Sequence, residues 1–83
     1  MSASPIQPKD VASAFGRALF RARRERGLSQ EALAEAADLH RTYVSFLERG
    51  QKQPSLTTVF RLSRALSTSP SVLIEEANRH LQL

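Results

Sequence analysis

Arginine dominates the chemistry available to this chain. Twelve basic residues stand against eight acidic ones, a formal charge of +4, and ten of the twelve are arginine. A planar guanidinium can donate two parallel hydrogen bonds to a phosphate or to a guanine edge, where a lysine ammonium acts as a point charge. A polyanion is therefore the kind of partner such a balance suits. Other chemistries lack their residues. There is no cysteine, which removes disulfides and thiolate metal sites. His40 and His80 lie far apart with no ligand cluster beside either, so no metal is expected. Glu75 and Glu76 are adjacent and diverge by about 100° on a helix, while Glu31 and Glu35 share a solvated face with no cleft. Neither a Gly-rich phosphate loop nor a nucleophile elbow is present. No catalytic residue, no cofactor and no enzymatic activity are expected.

The elements that must position these arginines are helices. Residues 1–9 are polar, hold two prolines and read as a flexible arm. Asp10 is a plausible N-cap for a first helix reaching Arg26, with Val11, Phe15, Leu19 and Ala22 on one face and Gly27 as its stop. Arg17, Arg21 and Arg24 fall on the opposite, solvated face. Ser29 caps a second helix from Gln30 to about Ala37, with Leu33, Ala34 and Ala37 inward. After Asp38-Leu39-His40 a third helix runs from about Arg41 to Arg49, anchored by Val44 and Leu47 and ended by Gly50. Its outward positions are His40, Arg41, Thr42, Ser45, Phe46 and Arg49. Ser55 caps a fourth helix with Leu56, Val59, Leu62 and Leu66 inward. Ser69-Pro70 opens a fifth, continuing through Val72, Leu73, Ala77 and as far as Leu81. No stretch alternates with the period of a strand.

Two short helices joined by about three residues, the second exposed, have the geometry of a helix-turn-helix. From Phe15 to Leu73 the chain closely resembles the lambda-repressor-like (Xre/Cro-type) family. The resemblance is carried by Phe15-Gly16, Arg23, Arg26-Gly27-Leu28-Ser29-Gln30, Leu33-Ala34, Leu39, Tyr43-Val44-Ser45, Leu47-Glu48-Arg49-Gly50, Pro54-Ser55-Leu56 and Ala65-Leu66. It implies an all-α, compact five-helix domain over residues 10–74, with helices two and three as the helix-turn-helix. It implies that Gln30 touches a backbone phosphate at a helix N-terminus. It also implies that Arg41 and Thr42 read bases, that Arg49 contacts phosphate, and that Arg23 and Glu48 form a structural salt bridge between helices one and three. His40, Ser45, Phe46 and Lys52 complete the expected DNA-facing set. Asp38 and Ser67 depart from the family's usual glycines, Ser63 from a small apolar residue, and Phe46 from a polar base-reader.

The resulting expectation is a cytoplasmic, sequence-specific regulator of repressor or controller type that binds double-stranded DNA. No membrane span is expected and no small-molecule effector is evident. A palindromic operator requires a homodimer, for which the extension of the last helix over residues 75–83, together with Ile74, offers a stripe through Ala77 and Leu81. The competing expectation is a protein-interaction module on the same fold, antitoxin-like or a scaffold subunit, motivated by Phe20 and Phe46 as exposed aromatics.

Overall fold

The computed structural model describes residues 5–81, in which five helices follow one another without a strand. They are α1 (Pro8–Glu25), α2 (Gln30–Ala37), α3 (Arg41–Glu48), α4 (Leu56–Ala65) and α5 (Pro70–His80). The long α1 packs along α5 and crosses α3, while α2 rests on α3 and α4. None of these helices is long and apolar enough to cross a membrane.

Each start has a local cause. Ser29, Ser55 and Ser69 accept hydrogen bonds from the backbone N–H groups of Ala32, Thr58 and Val72, satisfying donors that a first turn leaves free. The start of α1 differs from the expected cap at Asp10. Gln7 precedes the helix and Pro8 occupies its first position, where a locked φ and a missing N–H carry no penalty. Pro8 and Lys9 thus belong to the first turn rather than to the arm, and Asp10 complements the helix dipole from within it. Residues 1–4 of that arm lie outside the described residues.

Four helix ends share one device. After α1, α2, α3 and α4 a single residue turns to positive φ: Gly27 (68°), Asp38 (58°), Gly50 (71°) and Ser67 (56°). The following N–H groups of Leu28, Leu39, Gln51 and Thr68 then reach back to the carbonyls of Arg23, Ala34, Phe46 and Ser63. This paired 6→1 and 5→2 closure is the Schellman motif. Because of it α3 stops at Glu48, one residue before the expected end at Arg49.

The core gathers Phe15, Ala18 and Leu19 of α1, Leu33, Ala34 and Ala37 of α2, and Val44 and Leu47 of α3, with Val59, Leu62, Leu66, Leu73 and Ala77 from the C-terminal half. Leu28, Leu39 and Tyr43 seal its rim. One expected core position is corrected. Leu56 is 72% exposed at the first position of α4, although Thr58 and Val59 in the same turn are buried. Val72 is exposed as well. The stripe expected on α5 is divided, since Ala77 is buried against α1 and α4 while Ile74 remains open to solvent. The helix ends at His80, short of Leu81.

Candidate nucleic-acid interface

The presentation of α3 begins with a close approach that only glycine permits. Gly16 lies on α1 where it crosses the end of α3, and a Cβ there would stand 2.7 Å from the Glu48 carbonyl oxygen and closer still to that of Leu47. These are backbone atoms, so a side chain at position 16 would push α3 outward.

The same crossing carries a buried ion pair. Arg23 Nε donates to Glu48 Oε2 at 2.6 Å and Nη2 to Oε1 at 3.0 Å, while Nη1 donates to the Leu28 carbonyl at 2.8 Å. Both side chains are largely withdrawn from solvent, at 9% and 3% exposure. The bidentate geometry ties α1 to α3 and also fastens the loop leading into α2. Removing one partner of such a pair leaves an uncompensated charge and costs about 3–5 kcal/mol. Glu48 accepts a further hydrogen bond from Gln30 Nε2 at 2.9 Å. A carboxylate can only accept, so the Gln30 amide must turn its N–H toward Glu48. One N–H of that amide remains free at the N-terminus of α2. Gln30 is therefore held in a fixed orientation from behind, at a place where the dipole of α2 favours an anion.

Between the two helices, Asp38-Leu39-His40 makes a joint of three residues, with Leu39 half-buried beneath it. Buried Val44 and Leu47 set the rotation of α3. At about 100° per residue, Thr42, Ser45, Phe46 and Arg49 then share the arc facing away from the core. Arg41 and Thr42 are exposed in the first turn, His40 is exposed at the N-cap, and Arg49 and Lys52 are exposed at the far end. Ser45 and Phe46 are half-buried rather than fully outward. An α-helix with its side chains is about 10–12 Å across, which a B-DNA major groove about 12 Å wide admits. Thr42 and Arg49 thus lie along one presented edge, with Arg41 exposed at its start about 100° round the helix from Thr42, Gln30 on α2 and Lys52 in the loop beyond.

Both aromatics expected to be exposed have cations over them, although Phe20 remains 42% exposed. The guanidiniums of Arg23 and Arg24 each lie 5.4 Å from the centre of the Phe20 ring. Arg49 and Lys52 lie 5.2 and 5.9 Å from that of Phe46. Among the described residues, no group of three or more His, Asp or Glu is placed to hold a metal ion.

A family model described as helix-turn-helix matches residues 19–73, more than half of the chain and all of α2, α3 and α4. The chain belongs to that family. The control protein C.BamHI of Bacillus amyloliquefaciens is 46% identical over 48 residues, which cover 58% of this chain and 59% of that protein, so the match spans less than two thirds of the relative. The crystal structure of the restriction-modification controller protein C.AhdI from Aeromonas hydrophila is similar with a TM-score of 0.73 at 42% identity, covering 75% of this chain and 94% of that one. The controller protein C.Esp1396I, crystallised as a tetramer in complex with its natural 35 base-pair operator, is similar with a TM-score of 0.78 at 27% identity, covering 86% of this chain and 93% of that one.

Two residues that shape the surroundings of α3 are not named by a list of outward polar residues. Gly16 is recognisable only as part of a family pattern, because the α1–α3 approach that requires it joins segments distant in sequence. Tyr43 follows Thr42 at the start of α3 and is half-buried, its ring packed on the core. Its partial exposure follows from a helical position between the buried and presented arcs, which periodicity alone could have indicated.

Proposed function

We propose that this chain binds double-stranded DNA sequence-specifically as a homodimeric transcription regulator, with α3 in the major groove. The observation that carries the reading is the presented edge of α3, rigidly backed by the Arg23–Glu48–Gln30 network. In this mechanism Gln30, Arg49 and Lys52 contact phosphates and set the docking. Arg41 donates to a guanine edge and Thr42 meets a neighbouring base, with His40 and Ser45 flanking them. Regulation follows from occupancy of the site, without catalysis, in the cytoplasm. The tetrameric operator complex of C.Esp1396I supports both the ligand and an assembly of more than one chain.

A dimer supplies two recognition helices to two half-sites about one helical turn apart. Of the six large apolar side chains left exposed among the described residues, four are on the last two helices: Leu56 and Phe60 on α4, Val72 and Ile74 on α5. None is on α2 or α3. We place the dimer contact on the α4–α5 side at Leu56, Phe60 and Ile74, in place of the stripe through Ala77 and Leu81; Val72, about 160° round α5 from Ile74, faces a recess against α1 instead. The domain of residues 10–74 then gives both the reading helix and most of the dimer surface, and the chain beyond it has an accessory part. An interaction module without DNA binding has less support, since Phe20 and Phe46 are engaged by the chain's own arginines and lysine.

Selection of bound duplex from a random pool tests the reading. A palindromic product is expected, and failure to enrich any sequence would overturn it. On the selected site, Arg41→Ala should lose about 1–3 kcal/mol of discrimination against random DNA. An unchanged ratio would remove Arg41 from the base-reading set.

A further inference from the structure

Phe46 is the one residue of the presented arc with no polar group to offer a nucleic acid, and its surroundings assign it a different task. The Schellman turn at Gly50 closes the chain back on α3, with the Gln51 N–H bonded to the Phe46 carbonyl at 2.9 Å. That fold-back brings Lys52 Nζ to 5.9 Å from the ring centre, while Arg49 Cζ, from the end of the helix, reaches 5.2 Å. Arg49 Nε also donates to the Ser45 carbonyl at 3.3 Å. Neither cation has a carboxylate partner among the described residues. Two like charges are thus gathered at one aromatic ring, with no anion of the protein to balance them.

We infer that Phe46 is a positioning residue that holds Arg49 and Lys52 as a two-pronged phosphate clamp, so that it sets affinity for duplex DNA without choosing its sequence. The inference rests on the DNA-binding reading and goes beyond it. The attraction of a cation to an aromatic face offsets part of the repulsion between the two prongs. Flexible arginine and lysine side chains lose rotamer freedom when they dock, and a ring that already confines them reduces that loss on binding. A ring that is half-buried and flanked by two cations has little face left for a thymine methyl.

The test uses the full chain and two fluorescent duplexes, one carrying the selected site and one of random sequence, titrated over a range of salt. Phe46→Leu removes the aromatic face but keeps an apolar side chain, and Phe46→Tyr keeps the face. Phe46→Leu is expected to weaken binding to both duplexes by a similar factor, about three- to tenfold. The salt slope should become shallower, and Phe46→Tyr should stay within about twofold of the original. In an Arg49→Gln, Lys52→Gln background, Phe46→Leu should have little further effect. A loss confined to the selected duplex would make Phe46 a base contact and overturn the inference. So would a Tyr variant as weak as the Leu variant, or a full additional loss in the doubly neutralised background. If the unmodified chain binds neither duplex, the DNA-binding reading fails with it. If that chain binds and Phe46→Leu changes nothing, only the clamp is overturned.

Discussion

Gly16 bears the most stringent steric demand in the chain. Its missing Cβ lets α1 rest against the carbonyls of Leu47 and Glu48, and the rigidity of backbone atoms leaves no cheap relaxation. Gly16→Ala should therefore lower stability by about 2 kcal/mol or more through overpacking. It should also weaken DNA binding beyond what partial unfolding explains, because α3 and the Arg23–Glu48 pair shift together. Chemical denaturation alongside a duplex titration checks both effects. A variant of unchanged stability would show that the crossing is looser than this geometry. Arg23 is the counterpart in polar chemistry: a fully charged group accepted in the interior because two oxygens of Glu48 and one of Leu28 meet its donors.

The helices are delimited by local signals of uneven quality. Three serine caps and Pro70 stand where the sequence places them, and the termini of α2 coincide with those expected from Ser29 and Asp38. The four Schellman ends differ in cost. Gly27 and Gly50 take positive φ freely, whereas Asp38 and Ser67 carry a Cβ into a region that disfavours it. Ser67→Gly should accordingly stabilise the chain by about 0.5–1 kcal/mol, raising the melting temperature by several degrees. Thermal melting decides the matter, and a lower midpoint would mean that Ser67 makes compensating contacts. Errors of expectation at this scale concern ends and edges. Asp10 lies inside a turn that starts at Pro8, and Leu56 is exposed at the first position of α4 while Val59 behind it is buried.

At the scale of the whole molecule, apolar and recognition surfaces are segregated. The exposed Leu56 and Phe60 of α4 and Ile74 of α5 are on other elements than the helix that presents Arg41, Thr42 and Arg49. Joining two copies through the former would leave both copies of the latter free, as a two-fold operator requires. Phe60→Glu combined with Ile74→Glu should give a folded monomer with helicity unchanged, since both sites are exposed in the single chain. Sedimentation would show the change of mass, and affinity for a palindromic site should fall while affinity for one half-site persists. A double variant that still dimerises would place the contact elsewhere.

By itself the sequence determined the five helices, the capping serines of α2, α4 and α5, the inward positions of α2 and α3, and membership of a helix-turn-helix family. These are encoded by neighbours three and four residues apart, which periodicity exposes. The pairing of Arg23 with Glu48 was legible only through family resemblance, because its partners are 25 residues apart. Tertiary structure alone decided that Gln30 joins that pair, that Gly16 must lack a side chain, and that Leu56 and Val72 remain uncovered. It also decided that Phe46 faces two cations rather than open solvent. Each of these depends on where helices cross or on where a chain folds back after its helix ends, and neither is written in the spacing of residues along a single element.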